Sequence, residues 1–513
     1  MRAVTRLRPH LISRPTINRP IRWPSTRPQW LSTTASRQCS CADAANGRPT
    51  TQAPPIPPND HRALGTSQEL FTSSNYSPGS PLFLPNGTHV INKLISFLRT
   101  QYLQYGFREV LTPTIYKRSL WEVSGHWQNY KDDMYEVTGR GATGETEGEL
   151  GEDESYGLKP MNCPGHCLLF KSQNHSYREL PVRYADFSPL HRNEISGSLT
   201  GLTRVRRFHQ DDGHIFCRPS QIKSEIASAL GFVDMAMTTF GLGPYRLVLS
   251  TRPETDYIGT LEMWDNAERQ LREALDSTGR EWALNEGDGA FYGPKIDIQL
   301  QDRADMNLPQ RFELEYQVAE GEEDYNPATP GFATPVLVHR AIFGSLERFL
   351  ALLIEHHGGH WPFWLSPRQG IILTVNQDDA VVRQAQQAAA QFSGFKVLQN
   401  SETAAPPRPL SSVDSTFLID VDTSAQTLSK KIQRAKQMKY NMIFILGSRD
   451  VAEGGITLDV TGQMQSKTDP EAQQFQSLIK SHLGENALKN PRAVKLKLNE
   501  VHPLLEQFER NFL

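Results

Sequence analysis

Long apolar runs are missing from this 513-residue chain: no stretch of 18 consecutive apolar residues occurs, which excludes an ordinary membrane-spanning helix. Cysteine is scarce as well. Cys39 and Cys41 fall in the N-terminal segment, leaving Cys163, Cys167 and Cys217 in the body. That odd number argues against a disulfide framework and for a reducing compartment. Acid is absent before Asp43, whereas Arg2, Arg6, Arg8, Arg14, Arg19, Arg22, Arg27 and Arg37 stand among many Ser and Thr. Such a composition marks residues 1–42 as a mitochondrial transit peptide and predicts a mitochondrial matrix location. Removing those eight arginines takes the formal net charge from −3 to −11, so any RNA contact must use local basic patches. With 22% charged and 38% hydrophobic residues the rest is ordinary globular sequence, long enough for two or three domains.

Residues 43–69, which include "APPIPPND", read as a disordered Pro-rich linker, with order beginning near Leu70. Val90, Ile91, Leu94, Ile95, Leu98 and Leu103 then mark one helical stripe, followed by a short strand ending at Pro113. The stretch 139–157 is acidic, Gly-rich and aperiodic, as expected of a solvated loop insertion. Beyond Pro367, "GIILTV", "STFLIDV" and "NMIFILG" alternate with amphipathic helical segments, the pattern of an α/β module. Residues 463–513 are polar and weakly helical, and no role follows from them.

Four arrays carry chemistry. In "KPMNCPGHCLLF" (159–170), Pro164 suits a first helical turn, which places Cys163 at the positive helix end and favours thiolate. "HRNEISGSLTGLTRVRRFHQDDGHIF" (191–216) crowds arginines suited to a polyanion such as a triphosphate. "GDGAFYGPKIDI" (287–298) offers Tyr292 and Lys295 beside a turn. "HRAIFGSLERF" (339–349) pairs small Gly344 and Ser345 with Arg348. Spacing permits two incompatible zinc sites: a closed one from Cys163, Cys167, His214 and Cys217, or an open one from a single thiolate and two distant histidines. "EHHGGH" lacks the i, i+4 histidine pair with a glutamate, and His166 reads as a helix-surface residue.

These arrays, with "RSLWEVSGHWQNYKDDMY", "SYRELPVRYADF" and "STRPE", resemble class II threonyl-tRNA synthetases in the family's own order. The likeness is strong over 70–365 and looser over 366–462. It implies an antiparallel-sheet catalytic domain at 70–365, an α/β anticodon-binding domain at 366–462 and a C-terminal extension at 463–513. The implied reaction activates L-threonine with ATP and Mg²⁺ and transfers it to tRNA(Thr). By the same resemblance Cys163, His214 and His339 hold Zn²⁺, so the open site prevails. Arg192 grips the threonine carboxylate and α-phosphate, Glu194 reads adenine and Phe208 stacks on it. Arg204 and Arg348 meet the outer phosphates, Gln210, Asp212, Tyr292 and Lys295 line the amino-acid side, and Met161 is a further implied substrate- or ATP-binding residue. The 88–113 helix–strand is implied to form a homodimer interface. Lys430, Lys431, Arg434, Lys436 and Lys439 give one helix of the anticodon module a basic face.

Two departures from the family pattern stand out. Only presequence and linker precede residue 70, where the family carries an editing domain that hydrolyses seryl-tRNA, so serine errors are expected. After "KIDIQLQD" the chain jumps to "RADMNLPQRF", omitting about a strand's length. A catalytic sheet broken there implies the alternative reading, an inactive synthetase-like RNA-binding protein.

Overall fold

The computed structural model describes residues 56–138, 155–243, 245–255, 257, 259–290, 293–297, 301–305, 311–394, 410, 414–460, 470–484 and 487–513. The transit-peptide segment, nearly all of the acidic insertion and Tyr292 lie outside the described residues.

Eight strands of one large sheet follow in chain order: β1 (Arg108–Glu109), β2 (Val182–Asp186), β3 (Arg207–Cys217), β4 (Leu247–Ser250), β5 (Trp282–Asn285), β6 (Lys295–Asp297), β7 (Gln301–Asp305) and β8 (Val336–Ser345). They lie in the order β5-β4-β6-β7-β8-β3-β2-β1, with the short strand Pro189–His191 paired along β3. All pairings are antiparallel except β4–β5 and β1–β2. The break expected after Asp302 is absent. In β7, Asp302 lies opposite Ile296 of β6, and Arg303 lies opposite His339 of β8, so the sheet is continuous. The shortened segment has kept its strand, and the premise of the inactive reading is overturned.

Helices α1 (His61–Ser67), α2 (Pro85–Gln104), α3 (Cys163–Lys171), α4 (Ile222–Thr239) and α5 (Leu346–His357) surround this sheet. α1 corrects the linker boundary. Asp60 caps it by accepting from Arg62 N at 2.8 Å, and His61 and Gly65 are buried, so order precedes Leu70. In α2, Pro85 fills the first turn, where no N–H is needed. Val90, Ile91, Leu94 and Leu98 are buried as the periodicity demands, joined by Phe97 and Tyr102. Leu103 is 69% exposed: nine positions beyond Leu94, it points half a turn away from the core.

The C-terminal module contains β9 (Gly370–Thr374), α6 (Asp379–Ser393), β10 (Ile419–Asp422), α7 (Leu428–Gln437), β11 (Met442–Leu446), β12 (Gly455–Asp459), α8 (Pro470–Leu483), β13 (Val494–Lys497) and α9 (Leu498–Arg510). Its sheet order is β10-β9-β11-β12-β13. The boundary drawn at 462 therefore cuts through a fold. β13 extends the sheet against β12, and Val501, Leu504, Leu505 and Phe508 of α9 enter the same core as Phe392, Phe417 and Phe444. The apolar alternation "VKLK" buries Val494 and Leu496 and leaves both lysines outside.

Candidate active site

The register of β3 against β8 sets His214 directly opposite His339. Their rings meet with His214 Nε2 2.8 Å from His339 Nδ1. Cys163 opens α3, with Pro164 behind it in the first turn. The donor atoms of Cys163, His214 and His339 lie within 4.8 Å of one another, and all three residues are buried. Burial, reinforced by His339 and His166, drives the His214 pKa well below its ordinary value. The ring is therefore neutral, as a metal ligand must be. One sulfur and two imidazoles are the donors zinc prefers, and three protein ligands leave a coordination position open.

The closed four-ligand alternative fails on strand geometry. Side chains alternate along β3, so Cys217, three residues beyond His214, faces the opposite core with Ile215. Burial there pushes its thiol pKa up. Cys167 packs one turn along α3 among Phe170, Leu180 and Phe216. In "EHHGGH", the His356 and His357 rings stand 4.9 Å apart, and burial lowers His357 to about 4. Among the described residues no metal-holding group forms around that pair.

The three donors line a cavity of about 300 Å³ that Met161, Arg192, Gln210, Asp212 and Lys295 also line. Gln210, Asp212 and His214 share this face of β3 by their period-2 spacing. The Arg192 guanidinium sits 4.9 Å over the buried Phe208 ring and 5.8 Å over that of Tyr130. Lys295 Nζ is held 2.9 Å from Asp288 and 3.1 Å from Asp297. Burial raises the Asp212 carboxyl, against the pull of His166 and His339. Glu194 and Arg204 form an ion pair at 2.8 Å on the loop beside the cavity. Arg348 is exposed on the first turn of α5, where Ser345 Oγ accepts from its backbone N–H at 3.3 Å. Of the sequence-predicted residues, Met161, Arg192, Gln210, Asp212 and Lys295 line the cavity with the three donors, Glu194, Arg204, Phe208 and Arg348 are not among its lining, and Tyr292 lies outside the described residues.

Several site residues escaped the sequence reading. His126 is buried with Nδ1 2.8 Å from Ser124 Oγ and Nε2 3.3 Å from Met161 Sδ, and Cys163 Sγ lies 3.9 Å away. Burial lowers its pKa to about 3. Its only signal was its place in "SGHWQNY". His166 is a correction: it is fully buried, not on a helix surface, and its ring stands edge-on to His214 at 4.6 Å. Behind it, 3.6 Å from Nε2, lies the buried Asp186. The basic face of α7 also needs revision. Lys431 is buried and donates to Thr374 O at 2.9 Å and to Asp422 O at 3.2 Å, and Lys436 pairs with Asp459 at 3.2 Å. Lys430 and Arg434 remain exposed.

Residues 146–357 match the tRNA synthetase class II core domain (G, H, P, S and T), and residues 370–481 match an anticodon binding domain. A probable mitochondrial threonine–tRNA ligase of Schizosaccharomyces pombe is 47% identical, over 77% of this chain and 82% of its own length. The mitochondrial threonine–tRNA ligase of Saccharomyces cerevisiae is 42% identical, over 84% and 91%. Cytoplasmic threonine–tRNA ligases match as well. A solved structure described as the RNA binding domain of threonyl-tRNA synthetase from Cryptosporidium parvum superposes with a TM-score of 0.70 at 38% identity, covering 88% of this chain and 98% of that one. With a class II core, an anticodon module and this identity across most of its length, the chain belongs to the threonine–tRNA ligase family of class II aminoacyl-tRNA synthetases.

Proposed function

We propose that this chain activates threonine with ATP and transfers it to tRNA in mitochondria, and that Zn²⁺ held by Cys163, His214 and His339 selects the amino acid. The observation that carries this reading is the buried sulfur–imidazole–imidazole set opening into the same cavity as Arg192. A zinc ion bound there supplies a Lewis-acidic position for the amine and hydroxyl of threonine. The residues of the chain do the rest by placement. Asp212 accepts from the threonine hydroxyl, and Gln210, Met161 and Lys295 line the same cavity. Arg192, propped on Phe208, neutralises the carboxylate and α-phosphate as charge builds between them. Glu194 and Phe208 hold adenine, and Arg204 and Arg348 meet the outer phosphates with Mg²⁺. Orientation and charge neutralisation, rather than proton transfer, drive such a step.

Mitochondrial placement is supported by the arginine-rich segment 1–42. A homodimer through 88–113 is supported by Leu103 and Leu111, which are 69% and 83% exposed in that segment. The deciding experiment is threonine-dependent ATP–pyrophosphate exchange by the purified full chain, with zinc measured by mass spectrometry. Wild type is expected to carry one zinc per subunit, and Cys163→Ala to lose both metal and exchange. A zinc-free wild type that still exchanges with threonine refutes the reading.

A further inference from the structure

We propose that His61 of α1, outside the large sheet, is a positioning residue that latches the apex of the 193–206 loop and so sets the affinity of the site for ATP. The proposal rests on the reading of that loop as the one that meets ATP.

His61 is 3% exposed, and its two ring nitrogens have opposite duties. Nδ1 lies 2.7 Å from Glu355 Oε1, which also accepts from the His61 backbone N–H at 3.1 Å. A carboxylate partner fixes the proton on Nδ1. Nε2 then has a lone pair, and it accepts from the backbone N–H of Leu202 at 3.1 Å. With both nitrogens engaged, the grouping of Asp60, His61 and Glu355 is a relay of hydrogen bonds rather than an ion site.

Leu202 lies at the turn closed by the Thr200–Arg204 bridge and is itself fully buried. Beside it, Gly201 has φ +49°, and a Cβ there would stand 2.1 Å from His61 Nε2. The turn therefore has room for the imidazole only because residue 201 has no side chain. At its base the loop is held again, by Arg206 N donating to Gly79 O at 2.6 Å and Arg206 Nε donating to Glu194 O at 3.0 Å. Arg204 lies between these two anchors, paired with Glu194 at the base. The Arg204 side chain is 58% exposed, and an ion pair so exposed fixes little by itself. Order in the loop must come from its backbone, and His61 supplies it at the apex. Without the latch, part of the ATP binding energy goes into ordering the loop.

The test compares His61→Asn, His61→Gln and Gly201→Ala in threonine-dependent exchange by the full chain. Asparagine keeps a donor near Glu355 but cannot reach Leu202; the glutamine oxygen occupies the place of Nε2. Loss of one hydrogen bond predicts about a 3- to 10-fold rise in KM for ATP with His61→Asn and Gly201→Ala, and an unchanged KM for threonine. His61→Gln is expected to restore the ATP value. Melting temperatures of all three report folding, and Gly201→Ala probes the latch from outside α1. If wild type exchanges with threonine while both latch-breaking variants keep their ATP KM, or raise both KM values alike, the latch is refuted. A wild type without threonine-dependent exchange refutes the parent reading, and this one falls with it.

Discussion

Replacing Asp186 with asparagine asks whether the charges buried behind the candidate ligands act as one unit. Asp186 and Lys159 are both fully buried, 3.8 Å apart. Asp186 accepts from Thr112 Oγ1 at 2.6 Å and from Ser188 N at 2.8 Å, while Lys159 donates to Thr112 Oγ1 at 2.8 Å. Burial pushes the carboxyl up, yet His166, Ser188, Thr112 and Lys159 outweigh it and hold Asp186 well below the usual carboxylate range. Burial lowers the Lys159 ammonium, and Asp186 opposes that. Both groups are lowered, which favours the ionised carboxylate and opposes the ammonium; the donors crowding the carboxylate decide, and the ionised pair is the resident state. Asp186→Asn strands an ammonium in the interior, which costs about 3–5 kcal/mol for buried pairs. At roughly 2–4 °C per kcal/mol, the melting temperature falls by about 6–20 °C. Lys159→Met combined with Asp186→Asn removes the stranded charge and regains at least half of that loss, since replacing a whole buried pair is often neutral. Calorimetric melts of the four proteins give the cycle. An Asp186→Asn protein within about 2 °C of wild type, or a double variant that loses the sum of both single losses, refutes the coupling.

Three further outcomes follow from the same structure. Serine lacks only a methyl of threonine, worth ~1–3 kcal/mol, so its exchange kcat/KM falls about 10–200-fold, whereas hydroxyl-free valine falls by ~10⁴ or more; serine discrimination above ~10⁴ contradicts the proposed pocket. His357, lowered to about 4, sits below its unfolded value near 6.5, so its contribution is present above pH 6.5 and is lost as pH falls from there toward 4. Urea melts of His357→Gln between pH 7 and 4 should show a shallower acid decline, by at most ~1.4 kcal/mol per pH unit; an unchanged slope sinks the assignment. Phe508 of α9 is fully buried and stacks on Phe475 at 4.9 Å, so Phe508→Ala should cost about 3–5 kcal/mol. A loss below about 1 kcal/mol in the C-terminal transition would show that the tail is peripheral after all.

What the sequence made legible, and what it did not, divides by the reach of the physics involved. Local rules succeeded: Pro164 did open a helix, and the α2 stripe failed only at Leu103, where counting residues of 3.6 per turn would have warned against it. Period-2 counting along "GHIFC" likewise separates His214 from Cys217, and it would have dismissed the closed zinc site before any coordinates. The candidate ligand set is of another kind. His214 and His339 are 125 residues apart and become neighbours only through the register of β3 on β8, which no local pattern states; the resemblance named them, and the geometry brings them together. Where the resemblance gave no residue, as for the strand Gln301–Asp305, the missing motif was read as a missing element. A strand, however, is specified by backbone pairing with its neighbours and not by particular side chains, so a sheet can stay closed while the motif that marks it is gone. His61 and Lys431 carry the same lesson from the other side. His61 falls in the stretch read as linker and Lys431 on the helix read as a basic face, yet each is buried against a distant backbone group, Leu202 N–H in one case and Thr374 C=O in the other.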